Sequence, residues 1–524
     1  MTRPHQLQPV ALDEEGSGFP GGVHDDRPDA GPGSEGGNGW RRAARRGWPI
    51  AAVLVVAMAL GGAQLVLDAR EQGRLNRLHA VPGVLAAVDP STLRELWSSE
   101  TRSSFIGGVV VGDDLVESAA SPDGTQVVQR LEGGTGAVLW SVPVTSPDPE
   151  LAKAITSIGY WFAPGCQPVP DHTFVWCTVG DEYLEFDPDP TSWPEAGRTR
   201  VVVVDAATGA RVGEYEPAST DSFAALGETL LICSTAADGA VSVQAWDLRS
   251  EQPVWQSPLP ASSAAATDDE PEPLTQPGPA AWVGTQGDKI VVQGRRDVWI
   301  LSEDGQVQQA FPLAHDRTSL TMLRDRLWSK LDYSSDLPVM SLLLADGSWT
   351  EPVAEEPVSL TVDDGSVRDL CFTSARGRLR AIDCETAAET WERPSAGSTS
   401  GLLLDGTLYT ATSTQISAID AVTGDLRWQA VRDATVSTTP DRVLSDGQSL
   451  LLLEQAPAPE GEDRSQGQIE IVALSMADGS LSWRSPLEEQ GSAYDWFSMS
   501  ALGDRLAITT SDGNSSTTRV YGSR

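Results

Sequence analysis

The sequence predicts an all-β chain folded as a β-propeller, and three observations carry that prediction. The stretch Ala418-Ile-Asp-Ala-Val-Thr-Gly-Asp-Leu-Arg-Trp428 recurs in variant form at intervals of about one propeller blade. Short β-rich runs, such as Val109-Val-Val111, Val201–Val204, Lys289–Gln293 and Leu450–Leu453, alternate with Asp-Gly turns at Asp123, Asp238, Asp405, Asp446 and Asp478. From Val84 onward no long amphipathic helical pattern interrupts them.

Each part of the repeat has a physical task. Ser417-Ala418-Ile419-Asp420 ends a strand whose small and apolar residues suit burial on both faces. Asp420 then accepts main-chain N–H groups of the turn, Thr423 does so more weakly, and Gly424 takes positive φ where the chain reverses. Trp428 follows on the next strand as one large anchor per unit, its N–H needing a main-chain acceptor. A Trp stands eight residues after the Asp420-equivalent position in six copies: Asp89 to Trp97, Glu132 to Trp140, Asp247 to Trp255, Asp383 to Trp391, Asp420 to Trp428 and Ser475 to Trp483. A seventh copy at Asp205 keeps Thr208-Gly209 but has Gly213 at the Trp position, with Tyr215 as a nearby substitute. Weaker copies around Asp304-Gly305 and Asp346-Gly347 keep mainly the turn.

The repeat resembles the Ala-x-Asp-x-x-Thr-Gly-x-x-x-Trp motif of the PQQ-type propeller family, which includes quinoprotein dehydrogenases and BamB-like, non-enzymatic assembly lipoproteins of the outer membrane. The resemblance covers Val84 to Arg524. It implies a structural, blade-docking role for Trp97, Trp140, Trp255, Trp391, Trp428 and Trp483. It also implies eight blades, although nine result if the Asp89 copy is completed by C-terminal strands around Ser498 to Val520. Such a joined blade would close the ring and remove exposed sheet edges. The expectation is therefore an eight-bladed propeller in which one degenerate copy, or the first, is not an independent blade.

Ahead of the repeats, residues 1–47 read as a disordered Gly-, Pro- and acid-rich tail ending in the basic cluster Arg41-Arg42-Ala-Ala-Arg45-Arg46. Residues 48–67 form an apolar run long enough for one transmembrane helix, with a cytoplasmic N-terminus by the preceding arginines. Residues 68–83 read as a juxtamembrane stalk and 84–524 as the propeller. A cleaved signal peptide, with Gly61-Gly-Ala63 at the cleavage site, is the competing reading; either places the repeats outside the cytoplasm.

Cysteine spacing agrees with that compartment. Cys371 and Cys384 flank Arg376-Gly377-Arg378, and Cys166 and Cys177 bracket Pro168-Val-Pro-Asp-His172, so both are candidate cross-hairpin disulfides. Cys233 is left over as a buried strand thiol; the alternative is five reduced core cysteines. Three stretches exceed ordinary blade spacing: 145–197, 259–280 and 456–468. The first, with Tyr160, Trp161, Trp176 and Trp193, is the strongest candidate contact surface.

The chemistry is sparse. Quinoprotein dehydrogenases of the family use adjacent cysteines, a calcium and a catalytic Asp, but no two cysteines here are adjacent and most aspartates fall in turns. His79, His172 and His315 share no metal-ligand spacing, and the acidic run Asp181, Glu182, Glu185, Asp187, Asp189 lacks a dedicated calcium-loop pattern. No nucleophile elbow or phosphate loop is present. A net charge of -37, with lysine only at Lys153, Lys289 and Lys330, disfavours nucleic acid and anionic surfaces. The leading expectation is a single-pass membrane protein presenting an extracytoplasmic propeller as a non-catalytic binding or assembly platform, without cofactor or metal, for an envelope or cell-surface protein. The alternatives are a small-ligand or ion-binding sensor and a PQQ-dependent oxidoreductase.

Overall fold

The computed structural model describes residues 64–523 with interruptions, the longer ones being 102–107, 153–159, 186–198, 261–280, 332–338, 433–442 and 456–467. Residues Glu71–Arg524 form one compact unit, and Met1–Arg70 another, of which 64–70 are described as helix. The larger unit is a ring of β-sheets built from antiparallel strands, with one parallel pair, Ser359–Asp363 beside Ser400–Leu404. In chain order, blade 1 spans Val109–Pro143, blade 2 Cys166–Tyr215, blade 3 Ser222–Pro258 and blade 4 Trp282–Pro312. Blade 5, Thr318–Leu342, has a three-stranded sheet, extended by bridges from Met340 to Val353 and from Leu343 to Trp349. Blade 6 spans Glu356–Pro394, blade 7 Ser359–Val431 with its first strand, Ser359–Asp363, falling in sequence between the first two strands of blade 6, and blade 8 Leu444–Gln490. Blade 9 joins Trp496–Gly522 to the N-terminal strand Arg94–Thr101, which pairs antiparallel with Ser516–Gly522.

The ring therefore has nine blades, not the expected eight. The Asp89 copy is not an independent unit, because its Trp97 lies on the outer strand of blade 9. The degenerate Asp304 copy, by contrast, belongs to a blade of its own, blade 4, because a strand pair needs its turn and its apolar faces more than it needs the tryptophan, whereas Asp346-Gly347 lies outside the described residues. The expected transmembrane helix is also not found: no helix among the described residues is long and apolar enough to cross a membrane. Residues 48–63 of that expected span, and the expected disordered tail, lie outside the described residues.

The core is distributed between blades. Leu402 and Leu404 of blade 7 pack with Leu450, Leu452 and Val472 of blade 8, whereas Leu403 points the other way, among Phe372, Leu379 and Trp391 of blade 6. Alternate side chains of a strand face opposite sides, and here both sides are covered, which is why the strand reads as an unbroken Leu run.

Residues 71–88 pack against blades 7 to 9. The helical residues 71–78 bury Leu75 and Leu78, Arg74 donates to Asp405 Oδ2 at 3.3 Å and to the Gly447 carbonyl at 3.0 Å, and Val84 bridges Ser445 in parallel. Leu85 is fully buried in the core between blades 8 and 9. The segment expected as a stalk thus has its last residues built into the propeller.

Candidate functional site at the blade interfaces

The repeat turn is built by its acid. Asp420 Oδ1 accepts the N–H groups of Val422 and Thr423 at 3.1 and 3.0 Å, and Asp383 Oδ1 those of Glu385 and Thr386 at 2.9 and 2.8 Å. Asp205 and Asp247 hold Thr208 and Ser250 N–H groups in the same way, at 2.8 and 2.7 Å. These bonds stabilise the charged form and hold the carboxyls below their ordinary range: the Arg427 guanidinium contributes most at Asp420, the Thr386 amide at Asp383, the Thr208 hydroxyl at Asp205 and the Ser250 amide at Asp247. Beyond each turn the two strands slip register by a bulge, at Ala418/Ile419 in blade 7 and also at Val203/Val204 in blade 2, where no tryptophan follows. The bulge thus belongs to the turn and not to the indole.

The tryptophans dock onto the next blade. Trp97 donates its Nε1–H to Gly133 O at 2.9 Å, Trp140 to Ala206 O at 3.2 Å, Trp255 to Glu303 O at 2.9 Å, Trp391 to Ala421 O at 3.0 Å and Trp428 to Met476 O at 2.9 Å. In blades 1, 2, 7 and 8 the acceptor follows the residue equivalent to Asp420, namely Glu132, Asp205, Asp420 and Ser475, and in blade 4 it follows Ser302, which holds that place at the end of its strand. The ring lies flat on that repeat's glycine: a Cβ on Gly136, Gly209, Gly305, Gly424 or Gly479 would come within 2.4–2.7 Å of the indole. Glycine there meets two demands at once, a positive φ and room for the ring. Trp483, half-buried, instead packs with Leu93 in the core between blades 8 and 9.

The interface between blades 2 and 3 differs. Val203 of blade 2 pairs with Gly213 as Ala418 pairs with Trp428, so Gly213 occupies the tryptophan position and the slot lacks its ring. Tyr215 fills part of the space, with its ring 5.8 Å from Trp246 and 6.4 Å from Phe223 of blade 3. A half-open cavity of about 40 Å³ remains, lined by Val203, Gly213, Tyr215, Leu230, Trp246 and Leu248 among others. The Trp246 Nε1–H is buried and has no hydrogen-bond partner among the described residues. Gly213 and Tyr215 are legible in the sequence as a broken repeat; the role of Trp246 is not, because it depends on cross-blade packing.

Cysteines 166 and 177 are bonded between two neighbouring strands of blade 2, and cysteines 371 and 384 within blade 6. Cys233 is buried, which pushes its thiol up to about 12. The four bonded cysteines are separated by 11 and 13 residues, so they do not fit the adjacent pair that the resemblance assigns to a quinone site. His79 Nε2 lies 3.0 Å from Asp446 O. His172, His315, Trp193 and, of the acidic run, Asp181, Glu182, Asp187 and Asp189 lie outside the described residues. Among the described residues no cluster of His, Cys, Asp or Glu is placed to hold a metal ion.

Residues 327–521, which run from blade 5 into blade 9, match the family model of the outer membrane protein assembly factor BamB. Those residues are PQQ-like propeller repeats. Solved structures similar to this propeller include BamB from Moraxella catarrhalis, 13% identical over 82% of this chain and 99% of that one, with a TM-score of 0.38. A europium-containing methanol dehydrogenase is 11% identical over 86% and 99%, with a TM-score of 0.40. Quinohemoprotein alcohol dehydrogenase from Comamonas testosteroni is 12% identical over 84% and 78%, with a TM-score of 0.38. No curated protein matches the sequence.

Proposed function

We propose that this PQQ-like propeller is a non-catalytic binding platform, exposed outside the cytoplasm, that holds a protein partner of the cell envelope or surface. The observation that carries the reading is the match of residues 327–521 to an assembly factor's family model. Two further features support it. Disulfides in blades 2 and 6 suit an oxidising compartment, and the strong negative charge suits a partner with a basic contact surface. The test is covalent crosslinking in intact cells, capture of the full chain through an N-terminal tag, and mass spectrometry of the products. A stoichiometric envelope protein is the expected result. Absence of any protein partner, together with calcium-dependent quinone binding by the purified chain, would overturn it in favour of an oxidoreductase.

A further inference from the structure

Five blades end their outer strand on the same residue type. Three positions after the docking tryptophan, or after the residue in its register place, stand Pro143, Pro258, Pro312, Pro394 and Pro486 in blades 1, 3, 4, 6 and 8. Blades 2 and 9 carry a charged residue there, Glu216 and Glu100. Blade 7 has Val431. The following residue shows which way this position faces. Val144, Leu259, Ser395 and Arg432 donate their N–H back into their own blades, to the carbonyls of Gln126, Val241, Gly377 and Thr414 at 2.8, 2.9, 3.1 and 2.9 Å. Main-chain groups of an antiparallel strand alternate inward and outward, so the residue before each of these turns its main chain away from the sheet, toward the free edge. A proline there removes an outward donor, and a charged side chain deters an added strand; both blunt a sheet edge. Val431 does neither. It keeps its donor, is β-branched, and at 85% exposure is the most exposed large apolar side chain among the described residues. Gln429, two positions earlier, turns its main chain the same way, and among the described residues no strand lies on the outer side of Leu426–Val431.

We propose that the outer edge of blade 7 takes an extended segment of a partner polypeptide as an added strand. The segment's main chain pairs with the outward N–H and C=O groups of Gln429 and Val431, and one of its apolar side chains sits opposite Val431. The partner is a different protein and not a second copy, because two chains of net charge -37 repel each other. Exposed Asp425 directly precedes the strand, while Arg427, its one charged residue, is already bonded to Asp420 Oδ2 at 2.8 Å, so the segment is basic at the end that meets Asp425. The inference rests on the platform reading and names the edge by which the platform holds its partner.

The test titrates the full chain with two probes: a blocked peptide of alternating valine and lysine, and the same sequence with every amide N-methylated. The first should bind with a dissociation constant of about 0.1–1 mM, the range of a few main-chain hydrogen bonds, and the second at least about tenfold more weakly. Bound peptide should slow amide exchange in residues 426–432 and leave the outer strand of blade 6, which ends on Pro394, unchanged. Val431→Pro gives blade 7 the ending of blades 6 and 8, and should lose the binding without altering the unfolding midpoint. Absence of binding, equal binding of the methylated peptide, protection of other blades instead, or undiminished binding by V431P would each overturn the proposal. Should V431P fail to fold, the methylated peptide and the exchange pattern decide. A wild-type dimer that V431P abolishes would also overturn it, by giving the edge to a second copy. Crosslinking separates this failure from that of the platform: an envelope partner captured equally by wild type and a folded V431P leaves the platform standing and removes the edge.

Discussion

Two arcs of the ring are held together differently. From blade 6 through blades 7, 8, 9 and 1 to blade 2, every interface carries a repeat tryptophan: Trp391, Trp428, Trp483, Trp97 and Trp140 in turn. From blade 2 to blade 6 only Trp255 does so, at the interface of blades 3 and 4. The tryptophan position of blade 2 is Gly213, that of blade 4 is Gln309, and blade 5 has a three-stranded sheet. The poor arc closes by other means. Tyr215, Phe223 and Trp246 meet across blades 2 and 3, and Trp328 and Met340 pack against Cys371 and Cys384 across blades 5 and 6. Both disulfides lie in the blades where the tryptophan-rich arc ends, 2 and 6. A repeat can therefore lose its anchor without losing its blade, provided that neighbouring side chains or a covalent staple hold the edge.

The largest expected effect lies in the rich arc. Trp391→Ala removes a buried indole and its bond to Ala421 O, and should cost about 3–5 kcal/mol in urea unfolding. A loss below about 1 kcal/mol would mean that the indole anchors are not what distinguishes this arc. The poor arc has its own counterpart. Replacing Cys371 and Cys384 together by Ser should cost about 3 kcal/mol for a loop of that length, and amide exchange should quicken first in blades 5 and 6. Quickening spread evenly round the ring would break the comparison.

A glycine pair sharpens it further. Gly424 has φ +77 and its added Cβ would meet the Trp391 ring at 2.7 Å, while Gly406 has φ +69 and nothing within 4 Å. Gly406→Ala should cost only the left-handed backbone penalty, about 1–2 kcal/mol. Gly424→Ala should cost about 1–3 kcal/mol more, by overpacking against the indole. Equal losses for the two variants would show that the ring is free to move away.

How much of this is legible in the sequence differs between the two arcs for the same reason. The tryptophans and turn acids announce themselves by regular spacing, because each performs one local task that only a few residue types can do. Blade 9 is harder, since Trp97 and its partner strand Ser516–Gly522 stand at opposite ends of the propeller sequence and only closure joins them. Blades 4 and 5 keep little more than a turn, and the family's count of eight favours discounting such copies. Gly213 is visible as a broken repeat, but the cavity beside it is not, because Tyr215 sits two residues away and only packing decides how much of the slot its ring fills. Glu117 gives no sequence signal at all.

That residue supplies the smallest expected effect, inside the rich arc. Glu117 shares a strand face with Leu115, which packs against Leu502 and Ala507 of blade 9, and its carboxyl is buried with a Gln129 Nε2 bond at 2.8 Å. Burial pushes the carboxyl above its ordinary range despite that bond. A folded-state value raised above the unfolded one adds stability that is complete below the unfolded value of about 4.3 and is lost as pH rises through the folded value. At neutral pH the wild type therefore bears the cost of a buried charge or of a proton taken up to avoid it. Glu117→Gln keeps the acceptor for Gln129 and removes the charge, so it should raise stability at pH 7 by about 1 kcal/mol and have little effect below about pH 4. The turn aspartates behave oppositely: their lowered values give stability that is present above about 3.9 and lost as pH falls. Chemical unfolding of both proteins between acid and neutral pH separates the two. A gain at pH 7 that persists unchanged in acid would assign the effect of Glu117 to packing, and leave the tryptophan anchors without a buried charge working against them.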